Sequence, residues 1–315
     1  MNSKLRFRWW HETALALLLI GLLLGAAQVM PTFVSPRSQL ILSKHIWETA
    51  ILALGMTLIV ISGGIDLSIG SAMGMCAVAF GICHELTGSL EISCCICLLT
   101  GVLGGALNGW LIAKLKVHPL IITLATYAAF RGIAEGVSQG TSYSRFGESF
   151  GELARGTWWQ VPIAGYIFLG LAIGCGVFLS KTPLGRFIYA IGHSEQAAVF
   201  SGVPVDRIKV VLYTWSGLLA GLSTLIYVSR FDTAKADAGT GIELEVITAV
   251  VIGGTSIFGG RGNIVGTALG LALIHETRLF VGRYWQSDEL KSVLVGGLLI
   301  ASILVYQALA PQKRK

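Results

Sequence analysis

The chain has 315 residues, 54% hydrophobic and 13% charged, with forty glycines and a formal net charge of +6. Soluble domains average roughly 45–50% apolar and about 25% charged residues, so this composition excludes an ordinary soluble protein and points to a polytopic membrane protein. The positive balance calls for no nucleic-acid partner, because cytoplasmic basic flanks facing anionic lipid account for it.

A span takes about 20 mainly apolar residues. On that measure spans are expected near 12–30, 47–62, 67–85, 93–113, 119–138, 160–180, 210–229, 244–259, 264–281 and 291–309. The expected fold is all-α, with about ten transmembrane helices, some of them broken, in a single domain over residues 1–315. The opening MNSKLRFRWW is a basic flank before an apolar run, and no small-residue cleavage site follows, so it reads as a retained first span. Lys4, Arg6 and Arg8 precede that span, and Lys313, Arg314 and Lys315 follow the last. The positive-inside rule then places both ends in the cytoplasm. On this threading thirteen basic residues are cytoplasmic and nine external, and Arg131 lies within a span.

The second and third spans are divided by SGGIDLSIGS, residues 62–71, where Asp66 stands among Gly63, Gly64 and Gly70. A carboxylate at a span centre costs roughly 2.5–3.5 kcal/mol to insert. Two arrangements remove that cost. In one, Asp66 is the N-cap of a helix starting at Leu67; in the other it lines a polar pathway, and the two are compatible. Farther along, Cys94, Cys95 and Cys97 form a CCxC cluster without a nearby His or acid. With Cys76, Cys83 and Cys175 they read as small hydrophobes in apolar runs. No metal or cofactor is expected. Small residues spaced by four, at Gly101, Gly105 and Gly109, at Gly170 and Gly174, and at Gly266 and Gly270, predict close helix approach. Ser68, Asn108, Thr123 and Thr126 join Asp66 as polar residues on otherwise apolar spans, and these five are the candidates for the solute path.

The 29 residues from Lys181 to Lys209 are the candidate cytoplasmic working surface. Within them Ser194 is placed to cap a short helix starting at Glu195, with the acid in the first turn and Gly202 and Pro204 ending it. The glycine-rich stretch 252–266 around Arg261 reads as a tight reversal between spans, or as a second contact or hinge. The chain lacks a G-x-x-x-x-G-K-[ST] loop, and GGRGNIVG at 259–266 misses the dinucleotide spacing. Nor is there a Ser/His/Asp set or HExxH, so an enzyme is not expected. If ATP powers transport, another subunit binds it.

Four stretches carry a family resemblance: GMTLIVISGGIDLSIGSAMGMCAVAFGI, HPLIITLATYAAFRGIA, GRFIYAIGHSEQAAVFSGVPVDRIKVVLYTWSGLLAG and ITAVVIGGTSIFGGRGNIVGTALG. In the same order, from about 50 to 300, they resemble the membrane permease of bacterial ABC importers for simple sugars, the group that includes ribose, rhamnose and autoinducer-2 permeases. SRFDTAKADAGTG and ISGGIDLS resemble the rhamnose and autoinducer-2 members more closely. The resemblance implies a subunit without its own ATPase in the bacterial inner membrane. Its implied partners are a cytoplasmic ATP-binding cassette protein, a periplasmic or lipid-tethered sugar-binding protein, and a second permease chain, identical or sister. Glu195, Ala197, Ala198 and Gly202 match an E-x-A-A-x-x-x-G pattern that resembles the short helix such permeases insert into the ATPase. The competing expectation is an ion-coupled secondary transporter or facilitator in which Asp66 carries the ion; no inverted repeat in charge or glycine supports it.

Overall fold

Long apolar runs become helices here, and they start and stop where short polar residues, proline and glycine allow the backbone to be capped. The computed structural model describes residues 10–300 except 288, 292 and 299. Lys4, Arg6, Arg8, Lys313, Arg314 and Lys315 lie outside the described residues. In chain order the helices are α1 (Trp10–Val29), α2 (Pro36–Leu42), α3 (Trp47–Ile61), α4 (Ile69–Thr87), α5 (Leu90–Leu115), α6 (Pro119–Ser138) and α7 (Glu148–Arg155). They continue with α8 (Ile163–Lys181), α9 (Pro183–His193), α10 (Glu195–Phe200), α11 (Val205–Phe231), α12 (Ile242–Ile252) and α13 (Ile264–Trp285). Two small antiparallel ribbons, Tyr143–Ser144 with Thr233–Ala234 and Thr157–Trp158 with Val161–Pro162, tie loops at one end of the bundle.

Seven of these helices are long and apolar enough to cross a membrane, or eight if the pair 36–45 and 47–61, bent by 57°, is one span. The chain is an all-α, multi-pass membrane protein. The two remaining expected spans explain the difference from ten. The one at 244–259 is cut short, because α12 ends at Ile252. The one at 291–309 runs beyond the described residues.

Burial sorts the helices. In α3 every residue but Trp47 is buried, and α12 buries eight residues along its 11-residue length. A helix apolar all round belongs in the centre of a bundle. By contrast α1, α5, α6 and α8 leave Leu17, Leu103, Ile121 and Ile173 more than half exposed, an apolar outer surface suited to lipid. Glycine sets how closely the core helices approach. A Cβ at Gly101 would collide with the Gly217 carbonyl of α11, one at Gly105 with the Tyr213 carbonyl, and one at Gly109 would lie 2.7 Å from Val210 Cα. Gly266 and Gly270 press likewise on the end of α12. Gly170 and Gly174 do not fit the expectation: a Cβ at either meets no neighbour within 4 Å. They line an apolar cavity of about 340 Å³ with Leu58, Val211 and Trp215. The small-residue spacing was right for helices facing α11 or α12, and spacing alone does not say which face of α8 is packed.

The central helices α3 and α12 end in the same way. After α3, Gly63 donates to Val60 O at 2.9 Å and Gly64 to Ile59 O at 3.0 Å; after α12, Gly254 donates to Val251 O at 2.9 Å and Thr255 to Val250 O at 3.2 Å. This paired pattern requires a left-handed residue after the helix, which glycine supplies most cheaply. Gly63 has φ +85° and Gly254 φ +87°. Both breaks lie at one end of the bundle, beside α9 and α10.

Candidate functional site

The first break places a carboxylate in the protein interior. Asp66 is 3% exposed. Its Oδ1 accepts the Ser68 N–H at 3.0 Å and the Ser68 hydroxyl at 2.6 Å, and its Oδ2 lies 3.5 Å from the donating Ser216 hydroxyl of α11. Asn108 of α5 donates from Nδ2 to Ser68 Oγ at 2.7 Å. Thr123 of α6 donates to the Ile65 carbonyl at 3.2 Å, and the Tyr213 hydroxyl reaches the same oxygen at 3.4 Å. Three helices, α5, α6 and α11, therefore converge on Ile65, Asp66 and Ser68 within the seven-residue break. A buried carboxylate with charge-assisted hydrogen bonds on both oxygens offsets much of its desolvation cost.

Asp66, Ser68 and Asn108 thus form one hydrogen-bonded cluster, and Thr123 adjoins it through the Ile65 carbonyl. Thr126 does not join. Its hydroxyl bonds back to Ile122 O and Thr123 O of its own helix. The expected cap is corrected in register: α4 begins at Ile69, and Leu67 and Ser68 form a turn before it. Asp66 still accepts the N–H two residues on, the bond a capping residue makes, but it closes a turn rather than the first turn of the ladder. Arg131, the charge inside α6, donates to the carbonyls of Gly70, Ala236 and Ala238. It ties the start of α4 to the loop before α12, so its partners are backbone oxygens that charge spacing does not reveal.

The short helix at Glu195 forms as its residues direct. Ser194 accepts the Ala197 N–H at 3.2 Å, Glu195 pairs with Lys209 of α11 at 2.7 Å, and Gly202, at φ +78°, donates to Val199 O at 3.0 Å. Ala198 is buried against the bundle. Phe200, which sequence reasoning passed over, stands 91% exposed at the tip beside half-exposed Val199. On a polar loop an apolar knob of this kind marks a contact surface rather than a packing site.

Between this helix and the Asp66 break lies a junction made of backbone. Ser194 alone separates α9 from α10. The last turn of α9 carries Gly192, where a Cβ would collide with the Ile61 carbonyl and with Gly260 N. Gly260 in turn donates its N–H to Ile61 O at 2.8 Å, and the Tyr189 hydroxyl donates to Gly262 O at 2.8 Å. The end of α9, the end of α3 and the loop 253–263 therefore touch without side chains between them. This contact lies five residues before Asp66, and close-packed backbone leaves no slack in it.

Ser216 and Tyr213 are the further site residues the sequence did not disclose. Their signal was present but indistinct: both lie in YTWSGLLAG, whose Gly217 packs against Gly101 and Gly105 and fixes which face of α11 meets α5.

Comparison with known proteins agrees with this arrangement. The family described as branched-chain amino acid transport system / permease component matches residues 45–303. The autoinducer 2 import system permease protein LsrD of Escherichia coli (strain SMS-3-5 / SECEC) is 33% identical over 306 residues, covering 95% of this chain and 93% of the relative. LsrD of Escherichia coli O9:H4 (strain HS) and of Shigella flexneri share the same identity over the same coverage. No solved structure matches.

Proposed function

We propose that this chain, which belongs to the branched-chain amino acid transport system / permease component family, passes autoinducer-2 or a closely similar sugar-like solute. It is the permease component of a sugar ABC importer and not an enzyme. The observation that carries the choice of solute is the 33% identity to autoinducer-2 import permeases across 95% of the chain; rhamnose is the next choice and ribose follows it. As a permease component it works with an ATPase and an external binding protein. We assign the ATPase contact to Glu195, Ala197, Ala198 and Gly202, with Phe200 as the apolar knob, and the solute path to the polar cluster of Asp66, Ser68 and Asn108, with Thr123 and Thr126 alongside. A second permease chain, identical or sister, completes the pathway. Both termini face the cytoplasm of the inner membrane, which puts α10 on the ATP side.

Asp66 in this reading is a structural carboxylate beside the path. Each of its oxygens already has a hydroxyl donor, which favours a fixed hydrogen-bonding role over an ion carrier. The test is uptake of autoinducer-2 by cells that express the chain with its own ATPase and binding protein. Uptake is expected to persist when proton and sodium gradients are collapsed with ATP maintained. Glu195→Lys or Gly202→Phe is expected to remove uptake while the chain remains in the membrane fraction. Loss of uptake on gradient collapse alone would return the ion-coupled reading to the lead.

A further inference from the structure

At the end of the bundle opposite α10, a cavity of about 560 Å³ opens between the start of α3, the end of α11, the loop before α12, and α13. Its size lies within the roughly 300–1,000 Å³ of small-molecule sites. α3 separates it from the Asp66 break: Glu48 lies in that helix's first turn and Ile61 is its last residue, a distance of about 20 Å. The cavity and the Asp66 cluster therefore stand at opposite ends of one buried helix.

The lining is ionic and balanced. Carboxylates come from Glu48, Asp237 and Glu245, and cations from Arg230, Arg278 and Lys291. Glu245 pairs with Arg278, and Glu48 Oε1 lies 3.0 Å from Arg230 Nε. Arg230 Nη1 donates to the Lys44 carbonyl at 3.2 Å and to His45 Nδ1 at 2.7 Å, which leaves the His45 proton on Nε2. Such a surface has donors and acceptors side by side and little net field. It suits a neutral molecule whose groups both donate and accept, which is the description of a hydroxyl-rich solute. A zwitterionic amino acid would have to part the Glu48–Arg230 and Glu245–Arg278 pairs to use their charges, whereas a hydroxyl does not.

One atom points to a ligand specifically. The Glu48 side chain is 3% exposed yet lines the cavity. Neither of its oxygens has a hydrogen bond of good geometry, and Oε2 lacks even the 3.0 Å contact to Arg230 that Oε1 has. A buried carboxylate oxygen without a donor is costly to the fold, so the position calls for a hydroxyl to be supplied from the cavity.

We infer that this cavity is a binding site for a neutral, hydroxyl-rich solute of monosaccharide size, with Glu48 Oε2 accepting a solute hydroxyl and Arg230 holding the carboxylate in place. The inference deepens the import reading by giving the solute a first station on the permease. The probe is a cysteine at the rim. Thr240 is exposed and lines the cavity, and Thr240→Cys is made with Cys95→Ser to remove an exposed thiol. Maleimide labelling of that cysteine is timed in membranes carrying the assembled importer, with autoinducer-2, L-rhamnose, D-ribose or L-leucine present.

At least one of the three hydroxyl-bearing solutes is expected to slow labelling several-fold, and L-leucine is not. Glu48→Gln, which keeps the side-chain volume, is expected to raise the half-protecting concentration about tenfold or more, the worth of one hydrogen bond to a charged group. Glu245→Gln, at a carboxylate already paired, is expected to shift it less. Labelling unchanged by all three solutes, protection by L-leucine, or protection indifferent to Glu48→Gln overturns the site. Protection without uptake leaves the site standing and removes the import reading. Uptake without protection does the reverse.

Discussion

The two broken core helices end alike and then diverge. Both α3 and α12 are buried, and both stop at a Gly-Gly turn with the same pair of hydrogen bonds. After α3 only seven residues intervene, 62–68, and the next helix is prepared by a buried carboxylate and serine. After α12 eleven residues intervene, 253–263, and the next helix is capped by a neutral Asn263, whose Oδ1 accepts the Gly266 N–H at 2.7 Å. Asn263 also donates to Glu12 of α1 at 2.7 Å, and the loop reaches across to Ile61 and Gly192. The short break holds a charge inside the bundle and gathers α5, α6 and α11 around it. The long break holds none and serves as a brace between α1, α9 and α3. A glycine pair in a span therefore signals a helix end without saying what the end is for; the residues that satisfy the next helix say that.

The largest effect should come from the place where the two breaks touch. Gly192→Val puts a branched side chain against the Ile61 carbonyl and Gly260 N, neither of which is a flexible side-chain end. The two breaks must separate or α9 must tilt. Uptake should fall to background, and if α10 is the ATPase contact proposed above, co-purification of the ATPase should be lost. Normal uptake in Gly192→Val would show that the junction does not link them.

Next is the charge that distinguishes the short break. Asp66→Leu strands the Ser68 N–H and leaves the Ser216 hydroxyl without its acceptor, at about 1–3 kcal/mol for each buried group unsatisfied. Asp66→Asn keeps an acceptor for Ser68 and should cost no more than about 1 kcal/mol. Thermal unfolding of the purified chain and uptake at matched expression should rank the variants together, wild type and Asn close and Leu far below. If Asn fails in transport as completely as Leu while remaining assembled, the negative charge itself is required, and the contrast between the breaks is functional rather than structural.

Much of this contrast is legible in the sequence. ISGGIDLS announced a break with a carboxylate, and Ser194 with Glu195 and Gly202 announced a capped helix of the right length, because caps and terminators act over three or four residues. The polar candidates Ser68 and Asn108 were legible as polar atoms that an apolar span must satisfy somewhere. What was not legible needed distance in sequence. Ser216 reaches Asp66 across 150 residues, and Gly192 meets Ile61 only because α9 folds back over the end of α3. The expected span at 244–259 failed for a local reason that composition hides: its mean apolarity continues through Gly253 and Gly254, but the backbone does not continue as helix. Gly170 and Gly174 failed because a glycine stripe has the same spacing whether or not a partner helix covers it.

The long break offers a milder test. Asn263→Ala removes the cap of α13 and its link to Glu12, so a stability loss of about 1 kcal/mol is expected, at the middle of the range for N-cap replacement. Asn263→Asp should keep the cap and yet bring a second carboxylate to Glu12, losing the link. If the long break is a brace, the two variants should lower the unfolding temperature by comparable small amounts and leave the concentration dependence of uptake unchanged. A rise in the half-saturating concentration without loss of stability would instead bring the loop into contact with solute and erase the distinction from the short break.

The smallest effect on the fold should come from Glu195, and that smallness is what makes it informative. Its partner Lys209 is mostly covered, but the Glu195 side chain is 47% exposed, and a pair open to water on one side contributes about 1 kcal/mol or less. The helix it opens is capped independently by Ser194 and closed by Gly202, so Glu195→Ala leaves both ends intact. Unfolding should therefore barely move, and addition of salt should reduce even that difference. Transport should respond more than stability does, because Glu195 stands on the surface assigned to the ATPase, while Asn263 and the long break do not. The measurement is ATP hydrolysis and uptake in the same membranes: uptake reduced with hydrolysis less affected places Glu195 in the transmission of motion. Uptake that follows the small stability loss and no more would make α10 an ordinary capped turn, and the junction at Gly192 would then connect the two breaks to nothing beyond the bundle.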